Sequence, residues 1–179
     1  MRGRRDFLKS SLLFGAGLCT NKAFGLSLPV DKTLHLYNIH TGESIKATFW
    51  EKDHFVESEL DRLDHFFRDY RINKTVTMDV NLYSLLYAIG LVGDTKKPLE
   101  ILSGYRSEQT NRLLRRQSHQ VAKHSFHTRA MAVDFNIKDR YLKETLKVAM
   151  LMEFGGVGYY PKSHFIHVDT GPVRRWRGR

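Results

Sequence analysis

Two stretches decide how this chain is read. The first is Ser125-Phe126-His127-Thr128-Arg129-Ala130-Met131-Ala132-Val133-Asp134-Phe135-Asn136-Ile137, and the second is His164-Phe165-Ile166-His167-Val168-Asp169. From Met131 onward the first alternates like a strand, so Ala132 and Asp134 share one face. In the second, Ile166 and Val168 flank His167 and point away from it, anchoring a strand that aims the imidazole into a cleft. Imidazole and carboxylate offered from neighbouring strands are the ligands zinc takes. His127, on the approach to the first strand, supplies a second imidazole. Small Ala132 leaves room for a bulky centre beside Asp134. Two imidazoles and one carboxylate leave a fourth tetrahedral position open, the pattern of a catalytic zinc. Spacing alone leaves another reading open, in which each histidine is a hydrogen-bonded, half-buried strand residue.

The remaining elements hold these strands in register. Leu34 to Ile39 and Ser44 to Trp50 alternate around Thr41-Gly42-Glu43, a hairpin. His35 and His40 lie in or beside this turn and read as exposed. Phe55 to Tyr70 is an amphipathic helix with Phe55, Leu60, Leu63, Phe66, Phe67 and Tyr70 on one side. A second helix runs from about Val80 to Ile89 and stops at Gly90. Pro98 to Ser103 is a short strand that turns through Gly104-Tyr105-Arg106 into a helix starting at Ser107. Arg112, Arg115 and Arg116 give that helix a basic, solvated face. Tyr141 to Phe154 is another helix, ended by Gly155-Gly156. Val157 to Tyr160 and Phe165 to Val168 form two short strands, and residues 173–179 read as a basic tail. The expected fold is one α+β domain, a small antiparallel sheet with packed helices.

The 179 residues suffice for one domain with its own core, and 41% hydrophobic with 27% charged residues is ordinary for a globular protein. Residues 1–25 read as an export signal and residues 26–179 as the folded domain that carries the candidate metal site. Arg4-Arg5-Asp6-Phe7-Leu8-Lys9 is a twin-arginine pattern, followed by the short apolar run Ser11 to Leu18 and by small residues at Ala23 and Gly25. That run is too short for a stable membrane span, so the mature protein is expected to have no integral membrane segment and to reside in the periplasm. The formal net charge of +10 is inflated by this segment, which carries five basic residues and one acid. The rest holds 24 basic and 18 acidic residues, a net of +6, and no cysteine, since Cys19 is the single one. A moderately basic domain suits an anionic partner.

The quoted residues carry a family resemblance. Ser125, His127, Ala132 and Asp134 match the Ser-x-His-x-x-Gly-x-Ala-x-Asp motif of the zinc D-Ala-D-Ala peptidases, a group that shares its fold with the hedgehog signalling domain. Ala130 stands at the motif's glycine, a methyl group that disfavours positive φ. Phe154 to Pro161, Phe165 to Gly171, the Ser103-Gly104-Tyr105-Arg106-Ser107 turn and the stretch Val173 to Trp176 resemble exported murein endopeptidases of the MepK type. The resemblance implies a Zn2+ ion on His127, Asp134 and His167, with Arg106 binding a substrate carboxylate or carbonyl oxygen. Related dipeptidases place a glutamate base three residues before the last histidine ligand, and here that position is His164. Asp169 shares a face with His167 and is the rival, as base or as the partner that orients the ligand. His124 is a third candidate.

The expectation is a zinc metallopeptidase that cuts peptide cross-links of peptidoglycan, with peptide stems as partners. The bond could join D-Ala to diaminopimelate or two diaminopimelates. Trimming of uncrosslinked stems by a D,D-carboxypeptidase is the same chemistry, and a zinc-bearing wall-binding module is the non-enzymatic rival. Nucleic-acid binding, suggested by the high pI, is opposed by the export signal and the lack of an aromatic-basic reading surface.

Overall fold

Alternating apolar residues along each strand define a sheet with one greasy face, and amphipathic helices cover it. The computed structural model describes residues 31–118 and 121–178. The expected export segment, residues 1–25, and His119 lie outside the described residues. The chain runs β1 (Lys32–Asn38), β2 (Ser44–Glu51), β3 (His54–Phe55), α1 (Glu57–Phe66), α2 (Val80–Val92), β4 (Leu99–Ser103) and α3 (Glu108–Gln117). A 3-10 turn (Phe126–Arg129), β5 (Ala132–Ile137), α4 (Leu142–Leu151), β6 (Gly156–Tyr160), β7 (Phe165–Asp169) and β8 (Arg174–Arg177) complete it.

The α+β class is as expected, and the sheet is larger and mixed. Its eight strands are ordered β3-β2-β1-β4-β5-β7-β6-β8. Most neighbours are antiparallel, but β1 pairs with β4 and β6 with β8 in parallel. The expected tail is therefore an edge strand. Val133, Phe135, Ile166, Val168 and Val157 share one face and join a single core with Leu60 and Leu63 of α1, Leu82, Leu86 and Ile89 of α2, and Ala149 of α4. The opposite face carries Asp134, His167, Gly158 and Trp176, which lie in one row across β5, β7, β6 and β8.

Local capping ties the helices to this row. Asp79 caps α2 by accepting from the Asn81 backbone N–H, its own N–H donates to Ala130 O at 2.9 Å, and its carboxylate accepts from the Thr170 hydroxyl. Ser107 caps α3 by accepting from Thr110 N at 3.1 Å. Ala130 does adopt the left-handed conformation, with φ at 60°, that its methyl group disfavours. The bend survives because Ala130 N donates to His127 O, Met131 N donates to Phe126 O, and the methyl is buried in the core.

Gly155 turns the chain from α4 into β6. Its φ of 74° lies in the glycine region, and a Cβ there would collide with the backbone carbonyl of Asp169. Gly155→Ala should therefore destabilise the domain by roughly 3 kcal/mol or more, combining backbone strain with the steric clash. Urea unfolding followed by circular dichroism measures this.

Candidate metal centre

The antiparallel register of β5 and β7 sets Asp134 directly opposite His167 on the face of the sheet opposite the main core. The 3-10 turn then lowers His127 onto the pair. Ser125 caps this turn by accepting from His127 N at 3.3 Å, and Arg106 N donates to His127 O at 3.1 Å, so the turn is pinned from both sides. His127 Nε2 lies 3.2 Å from Asp134 Oδ1 and 3.2 Å from His167 Nδ1, and His167 Nδ1 lies 2.8 Å from Asp134 Oδ1. Neighbouring ligands on a tetrahedral zinc, with bonds near 2.1 Å, stand about 3.4 Å apart. The three donors thus fit a small divalent ion with modest spreading, and they form the one such cluster of three among the described residues.

The outer nitrogens fix which lone pairs face inward. His127 Nδ1 lies 2.8 Å from Gly104 O, so that nitrogen carries the proton and Nε2 presents its lone pair. His167 Nε2 lies 2.9 Å from Asp169 Oδ2, which leaves Nδ1 for the centre. Burial, helped by the charge of Arg106, pushes His127 down to about 4, so its ring is neutral at pH 7. Burial opposes the charge on His167, but hydrogen bonds to Asp134 and Asp169 outweigh it and raise that ring above its ordinary value. Burial also opposes ionisation of Asp134, yet the two imidazoles hold it well below the usual carboxylate range. A ligand set with one acid and one neutral ring already in place suits a cation.

Asp169 is fully buried. Its Oδ1 accepts from Gly171 N at 2.9 Å, Gly156 N at 3.2 Å and Arg174 Nη1 at 2.9 Å. Its Oδ2 accepts from Arg174 Nη2 at 2.6 Å as well as from His167. Every favourable direction around the carboxylate is therefore taken, the arrangement of a group that orients a ligand. His164 sits in the turn between β6 and β7, exposed and with φ at 57°. It takes part in none of the hydrogen bonds or ion pairs that join His127, Asp134, His167 and Asp169. His124 is also exposed. Arg106 is largely buried, with Nη2 3.8 Å from Asp134 Oδ2, and its Nε is buried without a hydrogen-bond partner.

Two residues of the cleft escaped the sequence reading. Trp176 lies with its ring centroid 5.2 Å from that of His167, and its Nε1 donates to Tyr160 Oη at 2.9 Å. Gly158 makes this possible, because a Cβ there would come within 2.6 Å of the indole. Tyr160 in turn stacks on Phe165 at 4.4 Å. Arg174 lies between the Phe126 and Trp176 rings while it grips Asp169. The two-residue spacing of Arg174 and Trp176 was the available signal, since it places both on one face once the tail is read as a strand.

A family model described as peptidoglycan L,D-endopeptidase MepK matches residues 28–176. The chain belongs to that family. It is 49% identical over 176 residues to the peptidoglycan L,D-endopeptidase MepK of Escherichia coli K12, covering 97% of this chain and 96% of the relative. A probable peptidoglycan L,D-endopeptidase MepK of Haemophilus influenzae is 40% identical over 180 residues, covering 99% of this chain and 97% of that one. MepK-family membership and the His127, Asp134 and His167 cluster agree on a metallopeptidase.

Asp169→Asn tests the orienting role. The amide cannot accept from both His167 and the two prongs of Arg174, so metal affinity should fall about 10- to 100-fold in competition titrations with a chromophoric chelator. The pH dependence has a definite sign. The Asp169 carboxyl is held below its ordinary value of 3.8 by His167, Arg174 and the Gly171 N–H, against the opposing effect of burial. Its contribution to stability is complete above that value and lost as pH falls below it. Acid unfolding of the metal-free protein should therefore be shallower in Asp169→Asn than in the wild type.

Proposed function

We propose that this chain is a zinc-dependent peptidoglycan L,D-endopeptidase of the periplasm, exported by the twin-arginine route. The observation that carries the reading is the convergence of His127 Nε2, Asp134 Oδ1 and His167 Nδ1, with each imidazole aimed by a hydrogen bond on its outer nitrogen. The relatives' name narrows the bond. A link from D-Ala to diaminopimelate joins two D centres, whereas a link between two diaminopimelates joins an L-centre carbonyl to a D-centre amine. The second is the L,D bond, so the substrate is the diaminopimelate–diaminopimelate cross-link.

When bound, zinc would polarise the scissile carbonyl and lower the pKa of a ligated water to ~7. The chain supplies the rest. Neutral His127 and ionised Asp134 keep the cluster ready for a cation, and Asp169 with Arg174 prevents the His167 ring from rotating. Arg106 has an unused buried Nε–H and a planar fork beside Asp134, so it can donate to the amide oxygen as negative charge gathers there. Tyr160 and Trp176 wall the cleft along β6 and β8 and reduce its exposure to bulk water. We assign the proton shuttle to His164, three residues before His167, whose exposed ring can take a proton from water and return it to the leaving amine. Asp169 keeps the orienting role. Hydrolysis adds hydroxyl to the carbonyl carbon and hydrogen to the amide nitrogen, leaving a carboxylate and an amine. Twin-arginine export is supported by Arg4-Arg5 and the apolar run that follows, and no helix among the described residues is long and apolar enough to cross a membrane.

Digestion of murein sacculi followed by muropeptide chromatography tests this reading. Dimers joined through two diaminopimelates should disappear, those joined through D-Ala should persist, and a chelator should stop the reaction. Sacculi that bind the zinc-loaded protein but release nothing would establish a binding module instead. His127→Ala should lose metal and activity together. Arg106→Ala should keep metal and lower kcat by about 10²- to 10³-fold. His164→Ala should keep metal and lose turnover, and a variant that retains turnover would remove His164 from the mechanism.

A further inference from the structure

The corner that follows α1 is zipped to the turn that carries Arg106. Phe67 O accepts from Tyr105 N at 2.8 Å, and Asp69 Oδ2 accepts from Ser107 N at 2.9 Å. Asp69 Oδ1 accepts from Arg71 N at 3.2 Å. One carboxylate, 1% exposed, therefore holds the backbone next to Arg106 and the backbone of Arg71 together. Gly104 packs so closely on Phe67 that a Cβ would come within 2.6 Å of its carbonyl oxygen. Two arginines that stand 35 positions apart in sequence thus lie on segments joined through Asp69, beside the turn that follows β4.

The Arg71 guanidinium lies over the Tyr70 ring at 4.4 Å, and Tyr70 stacks on His40 at 5.1 Å. Among the described residues no carboxylate forms an ion pair with Arg71. Asp69 is occupied by backbone and hydroxyl donors, and Asp134 belongs to the metal cluster. The positive field reaches its neighbours. Burial lowers both Arg106 and His40, and the charge of Arg71 adds to both. Two arginines on segments joined by one buried carboxylate, one with a buried N–H unused and the other without an ion-paired acid among the described residues, suit an anion.

Resting on the endopeptidase reading above, we propose that Arg71 and Arg106 form a carboxylate subsite on the β4 side of the cleft, which takes the free carboxylate on the leaving-amine side of the scissile amide. In a cross-link between two diaminopimelates, the carbon that bears the scissile nitrogen also bears a carboxylate. Arg106, nearer the metal cluster, serves the amide oxygen, and Arg71 holds that carboxylate from the outer edge. Tyr70 and His40 keep the Arg71 guanidinium flat against the rim. Arg71 is thus a specificity-determining residue, and the substrate class is a peptide with an unamidated carboxylate beside the cleaved bond.

The experiment uses two synthetic cross-linked peptides that differ only in carboxylate or carboxamide at that carbon, and the matching leaving-amine fragments as inert ligands. In the zinc-loaded wild type the carboxylate peptide should have a KM about tenfold lower than the carboxamide, the scale of one charge-assisted contact. Arg71→Gln should raise KM for the carboxylate peptide until the two differ by less than about twofold, Arg71→Lys should restore part of the preference, and Arg112→Gln on α3 should leave it intact. Calorimetry with the fragments should show the same loss of preference in Kd. If Arg71→Gln keeps the wild-type preference, or the wild type has none, the subsite is wrong. If the fragments bind with Arg71-dependent preference but neither cross-linked peptide is cut, the subsite stands and the endopeptidase reading fails.

Discussion

The buried carboxylate of Asp169 is the interaction on which the rest of the site depends. It accepts five hydrogen bonds, from the Gly156 and Gly171 N–H groups, both terminal nitrogens of Arg174, and His167 Nε2. A buried, ionised carboxylate is tolerable only with partners of this number and quality, because desolvation costs several kcal/mol per ion. Satisfying it has structural consequences. The Gly156 N–H fixes the start of β6 after the Gly155 bend. The Arg174 fork pins β8 at the sheet edge, and β8 in turn brings Trp176 beside His167. The same carboxylate sets the tautomer of His167, so one group controls the architecture of the C-terminal strands and the chemistry of one ligand.

A second buried carboxylate, Asp69, does comparable work on the other side of the cleft. It joins the corner after α1 to the turn after β4 through backbone N–H groups. That turn presents Gly104 O to His127 and Arg106 to Asp134. The candidate metal cluster therefore lies between two abutments, each built around a buried acid whose oxygens are hydrogen-bonded. Rigidity of this kind keeps ligand lone pairs aimed at one point before any ion arrives, which lowers the reorganisation needed on binding.

Much of the centre was legible in the residues. Alternation around Asp134 and His167 placed both on strands, and the register then set them opposite one another. Ser107 announced the start of α3, and Gly155 announced the end of the helix before β6. Other features were hidden because they depend on partners distant in sequence. Residues 173–179 looked like a basic tail, since four residues with three arginines have little intrinsic strand character. They become β8 only because β6 offers a free edge and Asp169 a buried counter-charge. The methyl of Ala130 argued against a left-handed bend, yet the bend persists because hydrogen bonds from Ala130 and Met131 and the Asp79 N–H hold it. His164 was the favoured base and Asp169 its rival, and the sequence could not show how differently they are placed, Asp169 enclosed and His164 exposed.

By itself the sequence determined the α+β class and most of the strand and helix segments, and it offered His127, Asp134 and His167 as candidate ligands, a set implied by the family resemblance. The elements follow from side-chain periodicity, which is local. Only the tertiary structure decided the eight-stranded mixed order, the closure of β8 over Gly158, the pairing of Asp169 with Arg174, and the joining of the Arg71 and Ser107 backbones through Asp69. Each of these is a contact between segments that are remote in sequence or paired across a sheet. Their energies come from satisfying buried charge and from close approach at glycine, and neither has a periodic signature along the chain.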